Sequence, residues 1–250
     1  MVSKHPPVAV VGVSALFPGE HDVARALDRA LAECGLAHPQ AASIDRVEDA
    51  DWVALTQRQF EPIRAGERLW IVPTWHAAPD PGAVNVILDP GAAFGTGSHP
   101  TTRLCLAWLE RNVRAGDEVL DYGCGSGILA IAAMKLGAAR ARAVDIDPLA
   151  LEAARYNAQR NGVRVDVVDA HGSFPGGARI TVANILANPL RMLAPTLASH
   201  TRPGGSLVLS GILEGQAEGV IEAYAPWAKL RAAARDSGWV LLAGEKIERC

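Results

Sequence analysis

The run Val119-Leu120-Asp121-Tyr122-Gly123-Cys124-Gly125-Ser126-Gly127, continued by Ile128-Leu129-Ala130-Ile131, leaves the chain little choice of fold. An apolar stretch ending in an acid, three alternating glycines and an Ala/Leu/Ile-rich stretch predict a first strand, a tight turn and a crossover helix. That is a nucleotide-type cofactor site. In a dinucleotide site the spacing G-x-G-x-x-G brings the backbone up to a pyrophosphate at the helix N-terminus. Here that spacing requires glycine at Ile128, and the third glycine falls one residue early, at Gly127. Asp121 also argues against a pyrophosphate, because at an effective dielectric near 20 like charges ~5 Å apart cost roughly 3 kcal/mol. S-adenosylmethionine reverses the sign: it has no phosphate, its sulfur is cationic and its amino-acid end carries an ammonium. A second acid, Asp145, ends the next apolar run, Ala141 to Asp145. A carboxylate at that strand end can take both ribose hydroxyls. A tight strand-to-helix turn with no ligand is the plainer alternative that the glycines alone leave open.

A chain of 250 residues can bury a full core as one large domain or two modest ones. With 20% charged residues, a net charge of -3 and a pI near 6.2, nothing favours broad nucleic-acid or membrane-surface binding. Cys34, Cys105, Cys124 and Cys250 form no C-x-x-C pair, so neither a disulfide framework nor a zinc site is expected. The opening Val8 to Leu16 run holds Gly12 and Ser14 and leads into Pro18-Gly19, which reads as a strand and not as a signal peptide. No apolar run approaches the ~18 residues of a membrane span. The expectation is a cytoplasmic monomer with reduced thiols, no metal, and no direct nucleic-acid or membrane partner.

Residues 1–76 read as a small α+β unit with linker: a strand at Val8 to Val13, an amphipathic helix from Asp22 to Cys34, a weaker strand at Ser43 to Val47, a helix from Asp49 to Gln59 and a strand from Arg68 to Val72. The turn-rich Ala77-Ala78-Pro79-Asp80-Pro81-Gly82 marks the boundary, and residues 77–250 form the second domain. Leu88 to Thr102 holds glycines, hydroxyls and His99 but no lysine, which excludes a triphosphate loop. Whether it lies against a ligand or on the surface is open on these residues alone. A helix from Thr101 to Asn112 follows, with Pro100 in its first turn and Leu104, Cys105, Trp108 and Leu109 inward. Beyond the glycine turn, helices at 147–161, 189–200 and 214–224 alternate with strands at 163–168, 180–183 and 206–210. An Arg202-Pro203-Gly204-Gly205 turn precedes the last of these strands, and a hairpin folds around Asp236-Ser237-Gly238. The fold class is therefore α/β: a Rossmann-like, mostly parallel seven-stranded sheet with helices on both faces and a C-terminal antiparallel hairpin. Asn184 ends the fourth strand of this domain, at the edge where such sheets bind ligands. Its side-chain oxygen and a neighbouring carbonyl can accept both hydrogens of an amine, or its side chain can simply close the turn.

With these residues in view, the chain resembles the PrmA family, which methylates ribosomal protein L11. The matching blocks are Phe60-Glu61-Pro62-Ile63-Arg64, Leu69 to Trp75, Leu88 to Thr102, Asp121 to Ala130, Asp145-Ile146-Asp147-Pro148, Asn184-Ile185-Leu186-Ala187 and Leu209 to Leu213. The Ala93-Phe94-Gly95-Thr96-Gly97-Ser98-His99-Pro100-Thr101-Thr102 block is the most specific, and it places Phe94, Gly95 and Thr96 at the cofactor. The resemblance implies S-adenosylmethionine contacts at Thr102, Gly123, Asp145 and Asn184: Asp145 would take the ribose, the glycine turn the methionine end and Thr102 the cofactor. Asp121, Gly125 and Ile146 are counted with them as cofactor-binding residues, and Asp169, at the end of the third strand of this domain, either reaches the adenine amino group or is a solvated turn acid. Asn184 would border both cofactor and incoming amine and act in catalysis. It implies, too, that the front domain holds the protein substrate, and that lysine side chains and an N-terminal amine of L11 are methylated, leaving S-adenosylhomocysteine.

Lysine in water has a pKa near 10.4, so such a site must favour the uncharged amine, by desolvation and the nearby sulfonium. Alignment of nucleophile, methyl and sulfur then carries up to about 7 to 11 kcal/mol. His99 reads as a loop-ordering residue rather than a base, since the proton can leave to water. Three rivals share parts of this pattern: a methyltransferase acting on another protein such as the electron-transfer flavoprotein beta subunit, a nicotinamide-dependent oxidoreductase, and a non-catalytic cofactor-binding module.

Overall fold

The computed structural model describes residues 22–35, 37, 61–88, 97–170 and 177–247. The chain divides into two compact units, 1–56 and 57–250, so the connector at 77–82 lies inside the second. Of the first unit, helix α1 (Val23–Cys34) is described. The Asp22 carboxylate caps it by accepting from Arg25 N–H at 3.2 Å, and Gly35 at φ 64° ends it. The strands expected at 8–13 and 43–47 and the helix at 49–59 lie outside the described residues.

The second unit opens with three short strands: β1 (Ile63–Arg64), β2 (Leu69–Val72) and β3 (Val84–Ile87). β1 and β2 are antiparallel, and β2 and β3 parallel. Neither β1 nor β3 stands out in the sequence, because two and four residues are too few to show a period of two. The sheet buries Leu69, Ile71 and Val86 against Leu104, Cys105, Leu106 and Leu109 of helix α2 (Pro100–Asn112) and Ile128 of helix α3 (Ile128–Lys135).

Beside it stands the main sheet, built from β4 (Glu118–Tyr122), β5 (Arg140–Asp145), β6 (Val165–Asp169), β7 (Ala178–Asn184), β8 (Thr201–Leu213), β9 (Ala228–Asp236) and β10 (Trp239–Lys246). Its order is β6-β5-β4-β7-β8-β10-β9. β4 to β8 run parallel, and β10 runs antiparallel to both of its neighbours. Chain direction along the sheet reverses between β4 and β7, which opens a crevice at their carboxyl ends. Side chains of β7, β8 and β10 divide between the two faces. Ile180, Val182, Val208, Leu241 and Ala243 join the core under α2 and α3, while Ala183, Leu207, Leu209, Val240 and Leu242 join a second core under helices α5 (Ala187–Met192), α6 (Ala194–Ser199) and α7 (Ala217–Tyr224).

Two features differ from the sequence expectation. The helix expected over 189–200 is broken at Leu193 into α5 and α6, because Pro195 has no N–H to donate to the Arg191 carbonyl and its ring clashes there. The turn expected at 202–205 is a bulge inside β8: the register steps from Ala178 opposite Thr201 to Ile180 opposite Ser206. The hairpin is as expected, with both turn residues in the left-handed region, Ser237 at φ 51° and Gly238 at φ 79°.

Helix α4 (Pro148–Arg160) is continued by Asn161, whose side chain docks β3 as a neighbouring strand would. Asn161 Oδ1 accepts from Ile87 N–H at 2.8 Å and its Nδ2 donates to Ile87 O at 2.7 Å. Asn161→Ala leaves both groups partly buried and unpaired, and should cost about 1 to 3 kcal/mol in urea unfolding.

Candidate active site

The crevice is built on Asp121. This residue ends the buried part of β4 with no exposed surface, and its Oδ2 accepts from Ala130 N–H at 3.1 Å. Ala130 is the third residue of α3, whose cap position is Gly127 and offers no side-chain acceptor. The strand's acid therefore satisfies a helix N–H that the cap residue cannot. Its Oδ1 is buried without a hydrogen-bond partner. Burial pushes the Asp121 carboxyl up to about 7, the Ala130 N–H pulls it down, and the Asp145 charge adds to the rise.

The glycine turn is held between β5, β7 and α4. Gly123 and Cys124 N–H groups donate to Val144 O, and Asn157, buried in α4, donates to Ser126 O at 2.9 Å. At Gly123, φ is 75° and a Cβ would meet Ile185 Cγ2 at 2.5 Å, so any side chain there would be strained and would displace Ile185. Asp145 is engaged by backbone alone: Oδ2 accepts from Gly125 N–H at 2.9 Å and Oδ1 from Asp147 N–H at 3.1 Å. Each oxygen keeps a second lone pair. Ile146, next in the chain, is 71% exposed. Asp169 sits beside Asp145 at the end of β6.

Asn184 closes the other side of the crevice at the end of β7. Its Nδ2 donates to Thr102 Oγ1 at 3.2 Å, which fixes the carboxamide from the first turn of α2. That turn is tied to the sheet at several points. Ser210 Oγ donates to Thr101 O at 3.3 Å, Arg103 pairs with Asp236 at 2.6 Å and donates to Ser98 O at 3.0 Å. His99 caps α2, with Nδ1 at 2.7 Å from Thr101 Oγ1 and its ring edge-on to Trp239. His99 thus orders the chain, as its position in the sequence suggests. Burial pushes the Cys105 and Cys124 thiols far up, so neither is a thiolate nucleophile.

Of the residues singled out in the sequence, Thr102, Asp121, Gly123, Gly125, Asp145, Ile146, Asp169 and Asn184 gather at this crevice, while Phe94, Gly95 and Thr96 lie outside the described residues. Asn157 and Asn161 do not stand out in the sequence; a polar pair four apart, at the inner side and the C-cap of α4, is the available signal for them.

Two carboxylates beside a glycine turn, one with an unpartnered buried oxygen, suit a cation and disfavour a pyrophosphate. This fold and crevice define a class I methyltransferase, dependent on S-adenosylmethionine. Residues 3–247 match the model of the ribosomal protein L11 methyltransferase (PrmA) family, and the chain belongs to that family. It is 57% identical over 234 residues to the ribosomal protein L11 methyltransferase of Dechloromonas aromatica, covering 94% of this chain and 79% of that one. It is 56% identical over 236 residues to that of Thiobacillus denitrificans, covering 92% and 78%. The crystal structure of ribosomal protein L11 methylase from Lactobacillus delbrueckii subsp. bulgaricus superposes with a TM-score of 0.68 at 36% identity, over 76% of this chain and 100% of that chain. A methyltransferase from Pyrococcus furiosus shares the fold, with a TM-score of 0.54 at 20% identity, over 65% and 89%. Family membership leaves the oxidoreductase and the non-catalytic module without support. Among the described residues no group of three or more His, Cys, Asp or Glu could hold a metal ion, and no helix is long and apolar enough to cross a membrane.

A raised carboxyl pKa has a definite linkage sign. Between the unfolded value near 4 and the folded value of about 7 the native state binds the extra proton, so stability falls as pH rises. The stability of the wild type relative to Asp121→Asn should therefore decline from about pH 4 to 7 and level off above, in urea unfolding of the ligand-free protein.

Proposed function

We propose that this chain transfers methyl groups from S-adenosylmethionine to lysine side chains, and to the N-terminal amine, of ribosomal protein L11, releasing S-adenosylhomocysteine. The observation that carries the chemistry is the unpartnered Asp121 Oδ1 at the switch point of the sheet. It fits the cationic amino-acid end of this cofactor. The family match over residues 3–247 supports the target. We assign Gly123 and Gly125 to the methionine end, Asp145 to the ribose, and Ile146 and Asp169 to the adenine. Thr102 and the Phe94-Gly95-Thr96 segment complete the cofactor site. When bound, S-adenosylmethionine supplies a methyl group on a cationic sulfur.

Asn184 is the catalytic residue in this reading. With Nδ2 committed to Thr102, its Oδ1 accepts a hydrogen of the incoming neutral amine and aims the nitrogen lone pair into the crevice. The proton is lost to water as the amine leaves solvent, so no base is required. The front unit, with the exposed amphipathic α1, serves substrate recognition; the enzyme works as a cytoplasmic monomer.

Incubation with methyl-labelled S-adenosylmethionine and L11 tests the assignment: label on L11 supports it, and label only on another protein, such as the electron-transfer flavoprotein beta subunit, overturns the target. Asn184→Ala should lower kcat by about 100-fold with a much smaller loss of S-adenosylhomocysteine affinity; equal losses would count against its positioning the amine. Asp145→Ala should weaken that affinity by about 10- to 100-fold in calorimetry, as expected for lost hydrogen bonds to a charged group.

A further inference from the structure

Next to the crevice, on the side that holds Asn184, two leucines are exposed. Asn184 of β7 pairs with Ser210 of β8, and the two strands end side by side. Gly211, at φ 85°, lets them close up: a Cβ there would collide with the Ile185 backbone. Just beyond, Leu186 is 67% exposed and Leu213 is 45% exposed. Directly after Leu213 come the exposed Glu214 and, in the first turn of α7, Glu218.

Charge is sorted along the strand axis of this unit. The carboxyl edge of the sheet presents Asp147, Asp169, Glu214 and Glu218 against Arg191 and Arg235, and its Arg103 is already paired with Asp236 at 2.6 Å. The amino edge presents Arg114, Arg164, Arg202 and Lys229 against Glu118 and Glu245, so the excess is acidic at the first edge and basic at the second. A net charge of -3 would steer a partner weakly, but this separation draws a cationic one to the end that holds Asn184. Arg191 of α5 lies against Gly219, next to Glu218, so it offsets part of that charge and leaves Glu214 the stronger attraction.

We infer that the rim formed by Leu186, Leu213, Glu214 and Glu218 is the docking surface for the basic segment of the protein substrate that carries the target lysine. The aliphatic stem of the lysine lies on the leucines and flanking cationic residues meet the two glutamates. This rests on the methyltransferase reading and specifies what its substrate must carry. A rim of this kind acts mainly on encounter and salt dependence, not on the chemical step.

The test compares wild type, E214K/E218K and Leu186→Ser with L11 as substrate, between about 20 and 300 mM salt, with S-adenosylhomocysteine calorimetry as control. For E214K/E218K we expect KM for L11 to rise about fivefold or more at low salt, with kcat and S-adenosylhomocysteine affinity unchanged and a flattened salt dependence. Leu186→Ser should raise the same KM without changing the salt slope. Wild-type salt dependence retained in E214K/E218K would overturn the proposal alone. So would joint loss of kcat and cofactor affinity, or a wild-type dimer that the charge reversal dissolves, since a second copy would then be the occupant. Failure of the wild type to label L11 at all overturns the functional reading and this proposal together.

Discussion

A carboxyl group sealed at the end of the central strand is the constraint around which this unit is arranged. Interiors normally leave no polar atom unsatisfied, and Asp121 breaks that rule on one of its two oxygens. The other oxygen explains why the acid is tolerated: it takes the Ala130 N–H, a group at the start of α3 that Gly127 cannot cap. Glycine is required at the cap position 127, where φ is 77° and a Cβ would meet Ala154 at 2.9 Å, so the cap residue cannot supply that acceptor. An acid from the preceding strand does so, and its second oxygen is left buried without a partner.

The second half of the crevice is assembled from distant parts of the chain. Asn184 comes from β7, its partner Thr102 from α2, and the first turn of α2 is pinned to β8 by Ser210 and to the terminal hairpin by Asp236 and Trp239. The antiparallel pair β9 and β10 therefore does more than close the sheet. Through Arg103 and His99 it holds the segment on which the orientation of the Asn184 carboxamide depends. On the opposite side, Asn157 and Asn161 tie the glycine turn and β3 to one helix.

The sequence is most informative where one residue has to answer to several demands at once. Acid, glycines and second acid in order exposed β4, the turn and β5, because the angles of the turn exclude most alternatives. Strands alternating with helices along the chain made the doubly covered sheet readable in the same way. What stayed hidden depends on partners far away in the chain. Nothing near Pro203 tells that 202–205 is a bulge within β8 and not a turn, since the neighbour that imposes it is β7. The side-chain pairing of Asn161 with Ile87 joins positions 74 apart, and β3 itself becomes a strand only because β2 lies beside it. The break before Pro195 was legible, since a proline inside a helical run has no N–H to donate.

Asp121 and Asp145 show how environment divides one chemistry into two roles. Asp145 is half exposed and accepts from the N–H groups of Gly125 and Asp147 with one lone pair on each oxygen, which leaves both oxygens fixed in direction and able to accept again. Such a carboxylate suits a neutral diol, which needs two acceptors at a set spacing and little net charge compensation. Asp121 is sealed, singly bonded and raised to about 7, so its ionised form is stabilised only when positive charge comes to the open oxygen. The order of the two acids along the sheet thus gives the crevice a direction: the end that requires a cation lies at β4, beside Asn184, and the end that requires hydroxyls lies outward at β5. In the reading proposed above, a ligand with a cationic amino-acid end and a ribose would satisfy both acids in one orientation, with its reactive centre toward the strand that carries Asn184.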